Sequence, residues 1–210
     1  ALALPLIAME AVVALGAAGL AGGANGVGWR SQAIQRFDFD PDYLRLMWNA
    51  GEWPLDGLVR LASYPLVQVQ VTQTVFAVVF LLALGKFVGE IFRAWAVLAV
   101  VIGSAIGAAV LYTLAPVEAP LIGAWPPIYG LIGAFTYILW TGLGRRGGGG
   151  AMRAFSLIGM LLGVQLLFGV LFGTGTQWIA DIAGFAVGFG LSFVVSPGGV
   201  ARLRARLRQR

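Results

Sequence analysis

Asp181 lies inside an apolar run, Gln177–Ser196, where a carboxylate is costly and is therefore a candidate for proton or hydrogen-bond chemistry. The plainer alternative is an acid near the mouth of that run, wetted by a small cavity and doing nothing further. What Asp181 could act with is limited, because the 210 residues contain neither histidine nor cysteine. That removes imidazole acid–base chemistry, thiolate nucleophiles, disulfides and Cys/His zinc sites. The hydroxyls that could serve as nucleophiles with Asp181 are Ser63, Ser104 and Ser192, and none has a base of suitable pKa nearby in sequence. Glu10 is a second acid in an apolar run. It could face an interface or a partner subunit. A transporter or channel needs a polar path, for which only Gln68, Gln70, Gln73, Gln165, Glu10 and Asp181 are available. Asp38-Phe-Asp40-Pro-Asp42 has a superficial likeness to a calcium loop but lacks its glycine and distal glutamate. No metal and no cofactor is expected.

The elements that must carry these residues are membrane helices. Hydrophobic residues make up 59% of the chain and charged ones 11%, against about 25% charged in a soluble domain. Mean hydropathy is +0.87. Too little polar surface remains to cover a globule in water, so the bilayer must cover it. The 31 glycines sit within apolar runs, which fits closely packed membrane helices. Six runs are long enough to cross: Leu2–Ala21, Val69–Val88, Ala94–Leu114, Leu121–Leu143, Ala151–Phe172 and Gln177–Ser196. The first has no basic cluster ahead of it and reads as a helix, not a cleaved signal.

Lys86, Arg93, Arg145, Arg146, Arg153 and the arginines at 202, 204, 206, 208 and 210 fall on one side of a six-span arrangement. Arg30, Arg36, Arg45 and Arg60 fall on the other. The positive-inside rule then puts both termini in the cytoplasm. The expected organisation is one six-helix domain over residues 1–200, with residues 22–66 as an outer loop, and a basic cytoplasmic tail over 201–210. The net charge of +5 is explained by that topology, and no nucleic-acid partner is expected. The tail could also attract anionic lipid. Gly147–Gly150 reads as a flexible linker, and Gly103-x-x-x-Gly107 as a helix-contact motif, internal or toward a partner.

Within the outer loop, Asp40-Pro41 predicts a helix start, with Asp as N-cap and Pro at the first helical position. Tyr43, Leu44, Met47 and Trp48 share one face, and Trp53 follows. A short helix near Pro41–Asn49 is expected, lying in the membrane interface or packed on the outer ends of the bundle.

Three stretches carry a more specific pattern. Arg60-Leu-Ala-Ser-Tyr64 leads into Gln68, Gln73, Phe76 and Ala77, with Gly85 and Glu90 beyond. Gly123-Ala-Trp125-Pro-Pro-Ile-Tyr129-Gly130-Leu-Ile-Gly133-Ala-Phe135 covers the fourth run. Asp181-Ile-Ala-Gly184-Phe-Ala-Val-Gly188 lies in the sixth. Together, from about Arg60 to Gly190, they resemble the rhomboid family of intramembrane serine proteases. Rhomboids carry an Arg before two His five residues apart and an Asn four further on; here Gln68, Gln73 and Ala77 stand at those places. Trp125 stands where the nucleophilic Ser would be, Pro126 replaces the next Gly, and Asp181 stands where the sixth-span His would be. The glycines that let helices touch, Gly133, Gly184 and Gly188, match the family.

The resemblance thus implies an all-α, six-span rhomboid-like bundle whose chemistry is lost. Trp125 has no hydroxyl, Ala77 donates nothing, and Gln68, Gln73 and Asp181 stand where the imidazoles would be. Trp125-Pro126-Pro127 could plug the former substrate site, or could reflect drift toward packing. Inactive relatives of this kind bind membrane clients. The expected role is therefore non-catalytic: holding a client transmembrane helix, or serving as a subunit of a larger complex in the bacterial inner membrane. An active protease with a displaced nucleophile and a small transporter are the alternatives. Candidate partner contacts are Glu10, and Phe76, Phe80, Val164 and Phe168 along the opening between spans two and five, where substrates are thought to approach in the related proteases. The resemblance also implies that Tyr129 faces Asp181.

Overall fold

The computed structural model describes residues 2–143 and 175–197, and every regular element in them is helical. The helices are α1 (Leu4–Ala17), α2 (Trp29–Phe37), α3 (Pro41–Ala50), α4 (Leu55–Ser63), α5 (Val71–Gly89), α6 (Ala94–Leu114), α7 (Trp125–Leu143) and α8 (Gln177–Val195). Among the described residues α5, α6 and α8 are long and apolar enough to cross a membrane, and α1 is a shorter apolar helix. The fifth expected run (Ala151–Phe172), the Gly147–Gly150 linker and the 201–210 tail lie outside the described residues.

Two boundaries differ from the apolar runs for a backbone reason. The first run extends to Ala21, but α1 stops at Ala17, where Gly19 (φ 70°) and Gly22 (φ 76°) turn the chain through the left-handed region. The fourth run begins at Leu121, but α7 begins at Trp125. Leu121 is paired with Phe39 in an isolated antiparallel bridge, and Gly123 has φ 102°, so neither continues a helix. α6 spans the expected residues, and α5 and α8 lie within two residues of expectation at each end.

α7 lies at the centre of the bundle, with every residue from Pro126 to Ala134 buried. It packs most closely on α8, and glycine makes the approach possible. A Cβ on Gly184 would stand 2.2 Å from the Pro126 carbonyl oxygen, one on Gly188 2.1 Å from that of Gly130, and one on Gly133 2.3 Å from that of Phe185. In a bilayer no hydrophobic force draws helices together, so close backbone contact of this kind must supply the attraction. The Gly103/Gly107 motif is spent inside the protein too: Cβ atoms there would meet Leu191 and Val187 of α8 at 2.5 and 2.8 Å. Beyond the glycines, Phe185, Phe189 and Phe193 stack along α8 toward Tyr137 and Trp140 of α7.

Three α-helices and two short 3-10 turns, Gly23–Gly28 and Tyr64–Leu66, occupy the segment between α1 and α5. α3 starts as Asp40-Pro41 predicts: the Asp40 carboxylate accepts the backbone N–H of Asp42 at 2.8 Å and of Tyr43 at 3.4 Å. Its Leu44 and Met47 are buried against Tyr64, Ala105, Ala108 and Tyr112, whereas Trp48 is 71% exposed. So the helix packs on the bundle and still presents an aromatic outward. Arg45 fastens it, donating to the carbonyls of Thr113 (3.1 Å), Ala115 (2.5 Å) and Val117 (3.0 Å), where the end of α6 leaves acceptors unpaired. α4 crosses α3 where Gly57 meets Met47 and Tyr43.

Candidate functional site

The start of α7 is held by main-chain geometry. The N–H of Gly123 donates to the carbonyl of Tyr64 at 3.2 Å, and the side chain of Gln68 lies against Gly123 so closely that a Cβ there would come within 3.0 Å of Gln68 Oε1. Gln68 is 2% exposed; its Nε2 donates to the Pro65 carbonyl at 3.1 Å, and its own carbonyl accepts from Arg30 at 2.9 Å. This fixes the loop that delivers Trp125 as the first residue of α7. Pro126 and Pro127 follow in the first turn, where the backbone N–H groups have no helical partner, so the helix tolerates their loss. The same loss leaves two positions beside Trp125 with no backbone donor.

Trp125 is half-buried and its ring lies 6.0 Å from that of Phe80 on α5, tilted by 57°. Phe80 and Phe76, one helical turn apart, are 41% and 53% exposed. Ala77, between them in sequence, is buried, and Gln73 is half-buried. Phe168 and Val164 lie outside the described residues. Contact between Gly184 and Pro126 sets α8 beside the start of α7 and carries Asp181, one turn earlier, into the interior at 4% exposure. There it lies near the phenols of both Tyr64 and Tyr129. Tyr64 was not singled out as part of this neighbourhood; its hydroxyl donates to the carbonyl of Ala105 at 3.0 Å.

The three serines are buried. Ser192 donates to the Gly188 carbonyl at 2.7 Å. It stands about three turns from Asp181 on the same helix, on the order of 16 Å along its axis. Ser104 is pressed against Gly130, and Ser63 ends α4; among the described residues neither Oγ is hydrogen-bonded to a base. No group of three or more potential metal ligands is present among the described residues.

Glu10 is paired within the chain. It was expected to seek a partner's cation or donor, but its mate is in the same chain: Arg30 donates to its two carboxylate oxygens at 2.5 and 3.3 Å, and Thr74 Oγ1 at 2.6 Å. The clasp joins α1, α2 and α5, and the charge that made Glu10 conspicuous is thereby used internally. Nearby in the fold, Arg60 spans Asp38 and Asp56, each at 3.2 Å. Burial nevertheless raises the Asp38 carboxyl above its usual range; the Arg60 charge opposes this and the Asp40 charge adds to it.

A bundle in which apolar helices of membrane-crossing length meet through glycine backbones is an all-α integral membrane protein. The model of the rhomboid domain family matches residues 56–198, more than half of the chain, and the chain belongs to the rhomboid family. No curated protein matches it.

Proposed function

We propose that this rhomboid-family chain is a non-catalytic membrane protein that holds a client transmembrane helix, or serves as a subunit of a larger membrane complex. In this reading it has six spans over residues 1–200, the segment 22–66 outside, and both termini, with the 201–210 tail, in the cytoplasm of a bacterial inner membrane. The observation that carries the reading is Trp125: an indole stands at the position of the family's nucleophile and packs on Phe80, filling space on the side where a substrate would approach. Two prolines beside it offer no N–H to an oxyanion. Of the candidate serines, Ser192 donates to the Gly188 carbonyl, and the Oγ of Ser63 and of Ser104 has no hydrogen-bond partner among the described residues. Phe76 and Phe80, both exposed, offer an apolar ridge to a helix in the bilayer.

Two outcomes are expected. The purified full chain takes up no fluorophosphonate label and cleaves no model rhomboid substrate; cleavage abolished by mutating Ser63, Ser104 or Ser192 would overturn the reading. Photo-crosslinkers placed at Phe76, Phe80 and Phe168 in native membranes are expected to capture a discrete membrane protein. Adducts with lipid alone at all three positions would remove the client-binding role.

A further inference from the structure

Toward the other end of α5 from Glu10's clasp, a groove of about 350 Å³ runs between α5 and α6, with Leu2 also lining it. Gly85 and Gly89, one turn apart on α5, open it by lacking side chains, and Leu82, Ala94 and Leu98 line it. Lys86, the single lysine of the chain, stands at its rim in the last turn of α5. Lys86 is exposed and forms no ion pair among the described residues. The other charges on this hairpin are Glu90 and Arg93, both exposed, so the net charge at the rim is positive. Trp95 is 57% exposed just beyond, as aromatics are at the headgroup level.

A long apolar slot ending in a cation, at the depth where a membrane helix gives way to a short loop, matches both halves of one kind of molecule. We infer that the α5–α6 groove is a binding site for an anionic phospholipid, with an acyl chain along Leu82, Gly85 and Leu98 and the phosphate on Lys86. A second protein helix would fill the slot but would have no use for the cation, whereas a flexible stem lets Lys86 follow a headgroup at the interface. The inference does not depend on whether the chain is catalytic.

The test uses the full chain in nanodiscs containing phosphatidylglycerol and phosphatidylcholine of equal chain length, with retained lipid counted by native mass spectrometry. The wild type is expected to retain phosphatidylglycerol about fivefold over phosphatidylcholine, the factor that one basic residue at an anionic surface supplies. Lys86→Gln is expected to bring the two lipids to parity. Leu98→Trp fills the groove from a position that is 47% exposed, and is expected to lose both lipids with helicity and elution unchanged. The inference is overturned if Lys86→Gln keeps the preference, if Leu98→Trp retains lipid like the wild type, or if the groove proves to be the seat of a second copy of the chain, seen as a dimer that Leu98→Trp dissociates.

Discussion

Arg30→Ala is expected to lower the stability of the detergent-solubilised protein by about 2 to 3 kcal/mol, among the largest losses available from a single charge. The arginine neutralises Glu10 through both carboxylate oxygens and also serves the carbonyl of Gln68. With the two side chains 21% and 14% exposed, the orphaned carboxylate keeps little water to replace what it loses. Some exposure remains, so the expected cost lies below the 3–5 kcal/mol typical of a fully buried pair. Replacing both partners by apolar side chains, Glu10→Leu with Arg30→Met, removes the stranded charge and is expected to return stability to within about 1 kcal/mol of wild type. Equilibrium unfolding of the wild type and the two variants decides it. A double variant as unstable as Arg30→Ala would mean that the Gln68 contact, not the ion pair, matters most.

Two glycines on one helix are expected to respond with opposite signs. Gly188→Ala places a methyl 2.1 Å from the Gly130 carbonyl oxygen and 2.5 Å from its Cα, atoms of a helix backbone that cannot rotate aside. α7 and α8 must then separate along their contact, and the expected loss is about 3 kcal/mol, at the upper end for overpacking. Two residues on, a methyl at Gly190 meets nothing within 4 Å. Gly190→Ala is therefore expected to gain about 0.5 to 1 kcal/mol from helix propensity and a less flexible unfolded chain. Thermal unfolding of the two single variants in the same detergent provides the comparison. If both lose stability equally, the Gly188–Gly130 approach is not what holds α7 to α8.

Much of this fold is written in short-range patterns. Apolar runs locate α5, α6 and α8 because lipid and core both select apolar residues over a fixed length, and Asp40-Pro41 marks the start of α3 because capping is a matter of adjacent residues. The family pattern named Gly133, Gly184 and Gly188 as contact points, and a Cβ at each of them would collide with a neighbouring backbone. What escaped sequence reading depends on distant partners. Glu10 looked unmatched because its cation is twenty residues away on α2, a helix whose mixed composition gives no apolar run. α4 was missed for a similar reason, although Pro54 ahead of its first turn and Asp56 within it are recognisable start signals. Gln68 showed itself as a replaced histidine and as one of the few groups available for a polar path. Its place against Gly123 depends on the left-handed turn at that glycine, which no neighbouring residue announces.

The bridge between Phe39 and Leu121 and the grip of Arg45 on residues 113–117 bear on how the chain is made. Helices α2 to α4 leave the ribosome well before the residues that hold them, since Arg45 waits about seventy residues for its acceptors and Phe39 more than eighty for Leu121. During that interval Leu44 and Met47 have no core to enter, and the arginine has only Asp42 and water to bind. Contacts of such sequence separation close late, because the intervening chain must first be ordered. This segment therefore settles late, well after its own helices have been made. Its docking onto α6 and the start of α7 ties the segment between α1 and α5 to helices made long after it.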